Sequence, residues 1–139
     1  MNAAAAKPSP IGLDHVGFII PDLTNSHALF TDLGFTLTAR ADHTRTNPQG
    51  QVVSAGSSQH SIMLKSGYVE LMQITDPMAG HQLTPALKVR YGLHVLALAT
   101  PDAGVWHADC LRRQLRVGPL LDWSRPVKTP ECEGLAQFC

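Results

Sequence analysis

The sequence predicts an α+β protein made of one complete β-α-β-β-β unit followed by a partial second copy. Two observations carry this. Residues 12–22 (GLDHVGFIIPD) return at residues 92–102 (GLHVLALATPD). At this offset of 80 residues, Gly12/Gly92, Leu13/Leu93, Pro21/Pro101, Asp22/Asp102, His27/His107 and Ala28/Ala108 are identical. A repeat of that period is a supersecondary unit, not one strand matched by accident. The second observation is periodicity: apolar runs that alternate are separated by stretches with helix-start and helix-stop chemistry.

The elements follow in order. Residues 11–20 are apolar, rich in β-branched side chains and stopped by Pro21-Asp22, which reads as a strand. Thr24 or Asn25 caps a helix running to about Leu33, with Gly34 just past its end. Residues 35–40 (FTLTAR) alternate and read as the second strand. Residues 41–58 are polar and hold the turn signal Asn47-Pro48-Gln49-Gly50, so this connection is either a mobile lid or partly strand. Residues 60–65 and 68–74 pair as a hairpin about Ser66-Gly67.

A connector over 77–90, with a short helix over 85–89, leads to the second unit. That unit is read as a strand over 93–99, a helix from Asp102 to about Leu115, a strand over 116–123, and a loop over 128–139 where a strand only begins. The first unit's YVELMQI has no counterpart in the second. The resulting division is a disordered tail (1–10), a first module (11–76), the connector (77–90) and a partial second module (91–139).

Composition narrows the function. The 139 residues fit one domain and one good core. Eleven basic and eleven acidic side chains cancel, which gives no electrostatic reason to expect nucleic acid or an anionic membrane as partner. Cys110, Cys132 and Cys139 include no CxxC pair and read as reduced thiols of a cytoplasmic protein. The first ten residues lack the apolar core of a signal peptide. No GxGxxG, P-loop or GxSxG motif occurs.

Strand alternation then places the polar residues. Val16, Phe18 and Ile20 share a face suited to packing on the helix, and Val69 and Leu71 do so on their strand. His15 therefore points the other way, with Gly17 and Ile19, as do Tyr68, Glu70, Met72 and Ile74. In the second unit His94 shares its face with Leu96 and Leu98. If the two sheets meet face to face, His15, Glu70 and His94 converge. A histidine in a strand is as readily a packed, hydrogen-bonded side chain as a ligand. A glutamate inside VELM is costly to bury unpaired, which either ligation or an exposed sheet face would explain.

LDHVGFIIPDL, GYVELMQI and YGLHVLALATPD, in this order and spacing, resemble the vicinal oxygen chelate superfamily of glyoxalases, bleomycin-resistance proteins, fosfomycin-resistance enzymes and extradiol dioxygenases. The resemblance covers most of residues 11–127, and is greatest to the glyoxalase-like proteins. It implies tandem βαβββ modules forming a cupped mixed sheet, the second truncated, around a divalent metal. It implies His15, Glu70 and His94 as metal ligands. The fourth, a carboxylate, falls near position 149 or 150 by the repeat offset, beyond the sequence. The histidines lie 79 residues apart where their neighbours lie 80 apart, so His94 needs a one-residue adjustment on each side.

Two imidazoles and a carboxylate are a borderline donor set suited to Zn, Ni, Fe, Co or Mn, with open positions for a chelating substrate. Glu70 is also the expected catalytic proton carrier. The implied function is a metal-dependent enzyme of lyase, isomerase or dioxygenase type acting on a small oxygen-chelating molecule. The alternative is a non-catalytic binding protein of the bleomycin-resistance kind. Open sheet edges in the second module point to a homodimer.

The other candidates have plainer expectations. His60 is a packing or surface residue, His27 and His107 are structural residues on helices, and His43 and His81 are solvated in polar loops. Arg40 and Arg45 are solvated charges, or else hold a substrate carboxylate or phosphate. Arg112, Arg113 and Arg116 form an exposed helix end. Trp106 and Trp123 belong to core or interface.

Overall fold

The computed structural model describes residues 11–80, 84–85, 90–120, 123–128 and 133–138. The elements are β1 (Gly12–Ile19), α1 (Leu23–Asp32), β2 (Ala41–Thr46), β3 (Val52–Met63), β4 (Tyr68–Ile74), a 3-10 turn (Pro77–Ala79), β5 (Gly92–Ala99), α2 (Ala103–Arg112), β6 (Trp123–Lys128) and β7 (Glu133–Phe138). The tail over 1–10 and the helix expected over 85–89 lie largely or wholly outside the described residues. Five strands form a sheet in the order β2-β3-β4-β1-β5, and β6 pairs with β7. β4 runs parallel to β1, while the β1–β5, β2–β3 and β3–β4 pairs are antiparallel. The sheet is therefore mixed, as an α+β fold with a crossover helix requires.

The expected alternation holds where it matters most. Leu23 of α1, Ile62 of β3 and Leu71 of β4 are the buried centre, with Phe18, Ile20, Phe30, Leu37 and Val69 packed on them. α1 thus covers one face of the sheet. The residues between these, His15, Gly17 and Ile19 on β1 and Tyr68, Glu70 and Met72 on β4, belong to the opposite face.

The α1 cap is Asp22, not Thr24 or Asn25. Its extended backbone (φ −143°) and its carboxylate, which accepts from Asn25 N at 2.9 Å, leave the next residues free to be helical. Asp102 caps α2 identically, accepting from Val105 N at 2.9 Å, so the repeated Pro-Asp is a repeated cap. Gly34 follows α1 in the left-handed conformation, φ +89°.

The second strand is displaced from its expected place. Residues 35–40 make only one bridge, Leu37 to Ile62. Side chains there take the groups a ladder needs. Thr38 Oγ1 accepts from Ser61 N at 2.9 Å, and the Thr38 carbonyl accepts from His60 Nδ1 at 2.8 Å. Pairing resumes in the polar stretch, which is strand on both sides of the Asn47–Gly50 turn. Consequently β3 begins at Val52, and residues 60–63 are only its end.

In the second unit α2 stops at Arg112, short of Leu115, and no strand occupies residues 116–120. Glu133–Phe138, expected as a loop with a strand only beginning, pairs in full with Trp123–Lys128.

Candidate functional site

The face of the sheet away from α1 is polar and yet buried. His15 and Glu70 are each 8% exposed, and Ser57, Gln59 and Ser61 are at most 1% exposed. Buried polar groups are costly unless each finds a partner, so this face is built as a network rather than as packing. Three interruptions of strand register lie at its members, and bulges of this kind re-aim side chains beside functional sites.

The first is on β1. Register passes from Leu13↔Leu98 to His15↔Ala97, so Asp14 is the extra residue. Neighbours in a regular strand point to opposite faces, but this irregularity lets Asp14 Oδ2 reach His15 Nδ1 at 2.9 Å. The His15 ring also stacks on Tyr68, its register partner on β4, with centroids 4.2 Å apart and planes 13° from parallel. The carboxylate assigns the proton to Nδ1 and makes Nε2 the electron-pair donor of the ring, the tautomer a metal-ligating histidine uses.

Glu70 lies between Gly17 on β1 and Ser61 on β3. A Cβ on Gly17 would stand 3.1 Å from Glu70 Oε2 and 2.8 Å from Val95 Cβ. Glycine at this position leaves the space that the carboxylate uses.

The second interruption is on β5. Register passes from Gly17↔Val95 to Phe18↔Leu93, and His94 is the extra residue. His94 and Asp14, the two extra residues, lie 80 residues apart, so His94 holds the place of Asp14 in the repeat and not that of His15. The bulge uncouples the direction of His94 from Leu96 and Leu98, and its Nε2 donates to the carbonyl of Arg90 at 2.9 Å. The structure thus brings His15 and Glu70 to one face, but among the described residues no three His, Cys, Asp or Glu side chains gather closely enough to hold a metal.

The third is between β2 and β3, where Asp42↔Ser58 gives way to Thr44↔Ser54 and residues 55–57 stand opposite His43. His43, expected to be solvated, is instead turned onto the site. Its Nδ1 pairs with Ser57 Oγ at 2.7 Å, its Nε2 with Gln59 Oε1 at 2.9 Å, and Nε2 stands 3.9 Å from Glu70 Oε1. Once ADHTRT is known to be strand its alternation separates His43 from Asp42, but the residues themselves carry no apolar pattern that marks the strand.

Several candidates hold structural places. His60 lies on the α1 side with His27 against it at 4.6 Å, and burial holds its pKa below the usual histidine value. His107 bonds the Gly118 carbonyl at 2.8 Å. Arg40 donates to Asp42 and to Ser58 Oγ, Ser58 donates to Asp42 at 2.5 Å, and these bonds hold the Asp42 carboxyl below its ordinary pKa. Arg45 donates to the Ala79 carbonyl at 3.0 Å. Arg112 and Arg113 both pair with Asp109. An open cleft of about 380 Å³ runs along β2 and β3, lined by Arg40, Asp42 and Ser58 and reaching the site only through His43 and Ser57.

A βαβββ unit with a buried polar face beside its first and fourth strands is the architecture of a vicinal oxygen chelate protein. The glyoxalase-like domain family matches residues 13–137, and the chain belongs to that family. No curated protein sequence matches it.

Solved structures share the fold. A methylmalonyl-CoA epimerase variant from Streptomyces coelicolor, in complex with 2-nitronate-propionyl-CoA, is 22% identical with a TM-score of 0.57, over 83% of this chain and 84% of that one. The Mycobacterium tuberculosis methylmalonyl-CoA epimerase is 20% identical with a TM-score of 0.60, over 84% and 78%. A hypothetical protein from Staphylococcus aureus is 16% identical with a TM-score of 0.61, over 92% of this chain and 50% of that one.

Proposed function

We propose that this protein is a metal-dependent enzyme of the isomerase type, moving a proton next to a carbonyl of a small substrate that chelates through oxygen. The observation that carries the reading is the placement of His15, with its Asp14 partner, and Glu70 on one buried sheet face. The likeness of the fold to epimerases favours proton transfer over dioxygenase or lyase chemistry, although fold alone does not fix a reaction.

The donors suit a divalent Zn, Ni, Fe, Co or Mn ion. His15 Nε2 and a Glu70 oxygen would hold it; His94, the third expected ligand, is bonded to the Arg90 carbonyl instead. When bound, the ion supplies Lewis-acid polarisation of the substrate carbonyl. Asp14 keeps His15 in the ligating tautomer. Tyr68 fixes the plane of that ring. Glu70, its carboxylate held in the space over Gly17, takes the proton from the carbon beside the carbonyl, and the isomerisation is completed when a proton is delivered to the neighbouring carbon or to the opposite face of the same one. Burial of this face excludes water and strengthens each of these interactions.

The protein is read as cytoplasmic, with the small substrate as its partner, and no described helix is long and apolar enough to cross a membrane. It is also read as a homodimer formed through β5. That strand ends the sheet, and Leu96 and Leu98 on it are 63% and 51% exposed.

The experiment is deuterium exchange in D2O, with methylmalonyl-CoA as the first substrate tried. Incorporation at the carbon next to the thioester, lost in Glu70→Gln, is the expected result. A wild-type protein that binds the compound tightly without exchanging its proton would instead favour the second reading, a sequestering protein. The bond of His94 to the Arg90 carbonyl supports that alternative.

A further inference from the structure

We infer that His43 is a positioning residue for Glu70, holding the carboxylate and Gln59 in place from strand β2. The role assumes the reading of Glu70 as a site residue given above. β2 is the end strand of the sheet, where side chains are ordinarily open to water. Its Asp42 side chain is indeed 70% exposed, yet that of His43 is 18% exposed.

The ring is held at both nitrogens. Gln59 Oε1, itself in a fully buried side chain, takes the Nε2 proton at 2.9 Å, and Ser57 Oγ meets Nδ1 at 2.7 Å. Rotation of the imidazole breaks at least one of these bonds, so its orientation is fixed. The Nε2–H is donated to Gln59, and this same edge of the ring lies 3.9 Å from Glu70 Oε1. The positive edge of a fixed imidazole at this distance from a carboxylate favours one carboxylate position over others in a buried site.

The other side of the carboxylate is bounded by bare backbone. Glu70 Oε2 occupies the space that a Cβ on Gly17 would restrict. Glu70 is thus held between a glycine of β1 and a histidine of β2, two strands that flank the β3–β4 pair in the sheet order. Ser57 meets the ring through the regular alternation of β3, which puts it on the same face as Gln59 and Ser61. Residues that orient a ligand are ordinarily worth 10- to 100-fold in metal affinity.

The test uses the full chain with Ni2+ as probe and two independent readings. In metal-free protein carrying 13C-labelled glutamate, the Glu70 Cδ resonance moves in His43→Ala and returns toward its original position in His43→Gln, which keeps an N–H near the Nε2 site. Calorimetry of Ni2+ binding shows affinity about 10- to 100-fold weaker in His43→Ala, recovered in part by His43→Gln. Ser57→Ala, which removes the Nδ1 anchor, shifts both readings in the same direction and serves if His43→Ala does not fold.

A Glu70 resonance unmoved in the folded variants, with Ni2+ affinity within about twofold of wild type, overturns the inference. If wild type takes no Ni2+ while the Glu70 resonance still moves, the metal reading fails and the positioning role stands.

Discussion

Glu70 and Gly17 divide one space between them: a Cβ at Gly17 would lie 3.1 Å from the Glu70 carboxylate and 2.8 Å from the Val95 side chain. Gly17→Ala forces these neighbours to shift. Overpacking of this kind costs about 1–3 kcal/mol. Urea unfolding reads that loss. Proton-exchange activity falls further than stability predicts, because the Glu70 carboxylate must give way along with Val95.

Asp14 is exposed enough to be replaced without harm to the core, but it fixes His15. Asp14→Asn keeps the size and loses the negative partner of Nδ1. Metal affinity drops about 10- to 100-fold while the melting temperature changes little. Calorimetric titration with Ni2+, run beside a thermal melt, separates the two effects.

His60 makes the fold acid-sensitive. Burial, the largest cause, lowers its folded pKa from 6.5, opposed by the bond to the Thr38 carbonyl and aided by nearby His27 and Arg40. The unfolded chain binds the proton more readily than the folded one. Stability is therefore full above about pH 6.5 and declines as the pH falls toward the folded pKa. Denaturant unfolding between pH 7.5 and pH 5 shows a shallower decline in His60→Gln than in wild type.

Leu71 carries the packing of β4 on α1 and is 2% exposed. Leu71→Ala removes methylene groups and leaves a cavity, for a loss of about 2–5 kcal/mol. Chemical denaturation measures it. A loss below about 1 kcal/mol would mean that α1 does not cover this face in solution.

The β5 edge predicts self-association. Sedimentation of wild type gives about twice the 15.0 kDa chain mass, and Leu96→Lys with Leu98→Lys shifts it to monomer. A wild-type monomer at high concentration removes the β5 interface from the account.

Much of this arrangement was legible in the residues. The period-two pattern of VGFII and YVELM is enough to put Phe18 and Leu71 on the helix and His15 and Glu70 opposite. The 79-against-80 spacing set His94 apart from His15, and the structure puts His94 at the bulge position that Asp14 holds in the first copy. Where side chains captured backbone groups, the reading failed. Thr38 and His60 break up the strand expected at FTLTAR, and nothing in that hexapeptide's own alternation reveals it. His43 was missed because a polar stretch rich in Thr, Asn and Gly reads as loop. Only the pairing of β2 with β3 turns the histidine inward.

Metal content decides the central claim most directly. Purified wild-type protein, dialysed and analysed for elements, retains stoichiometric divalent transition metal. The His15→Ala and Glu70→Ala proteins, folded by circular dichroism, lose it. Wild type without metal after reconstitution, or both variants holding it undiminished, would contradict the assignment of that sheet face as the metal site.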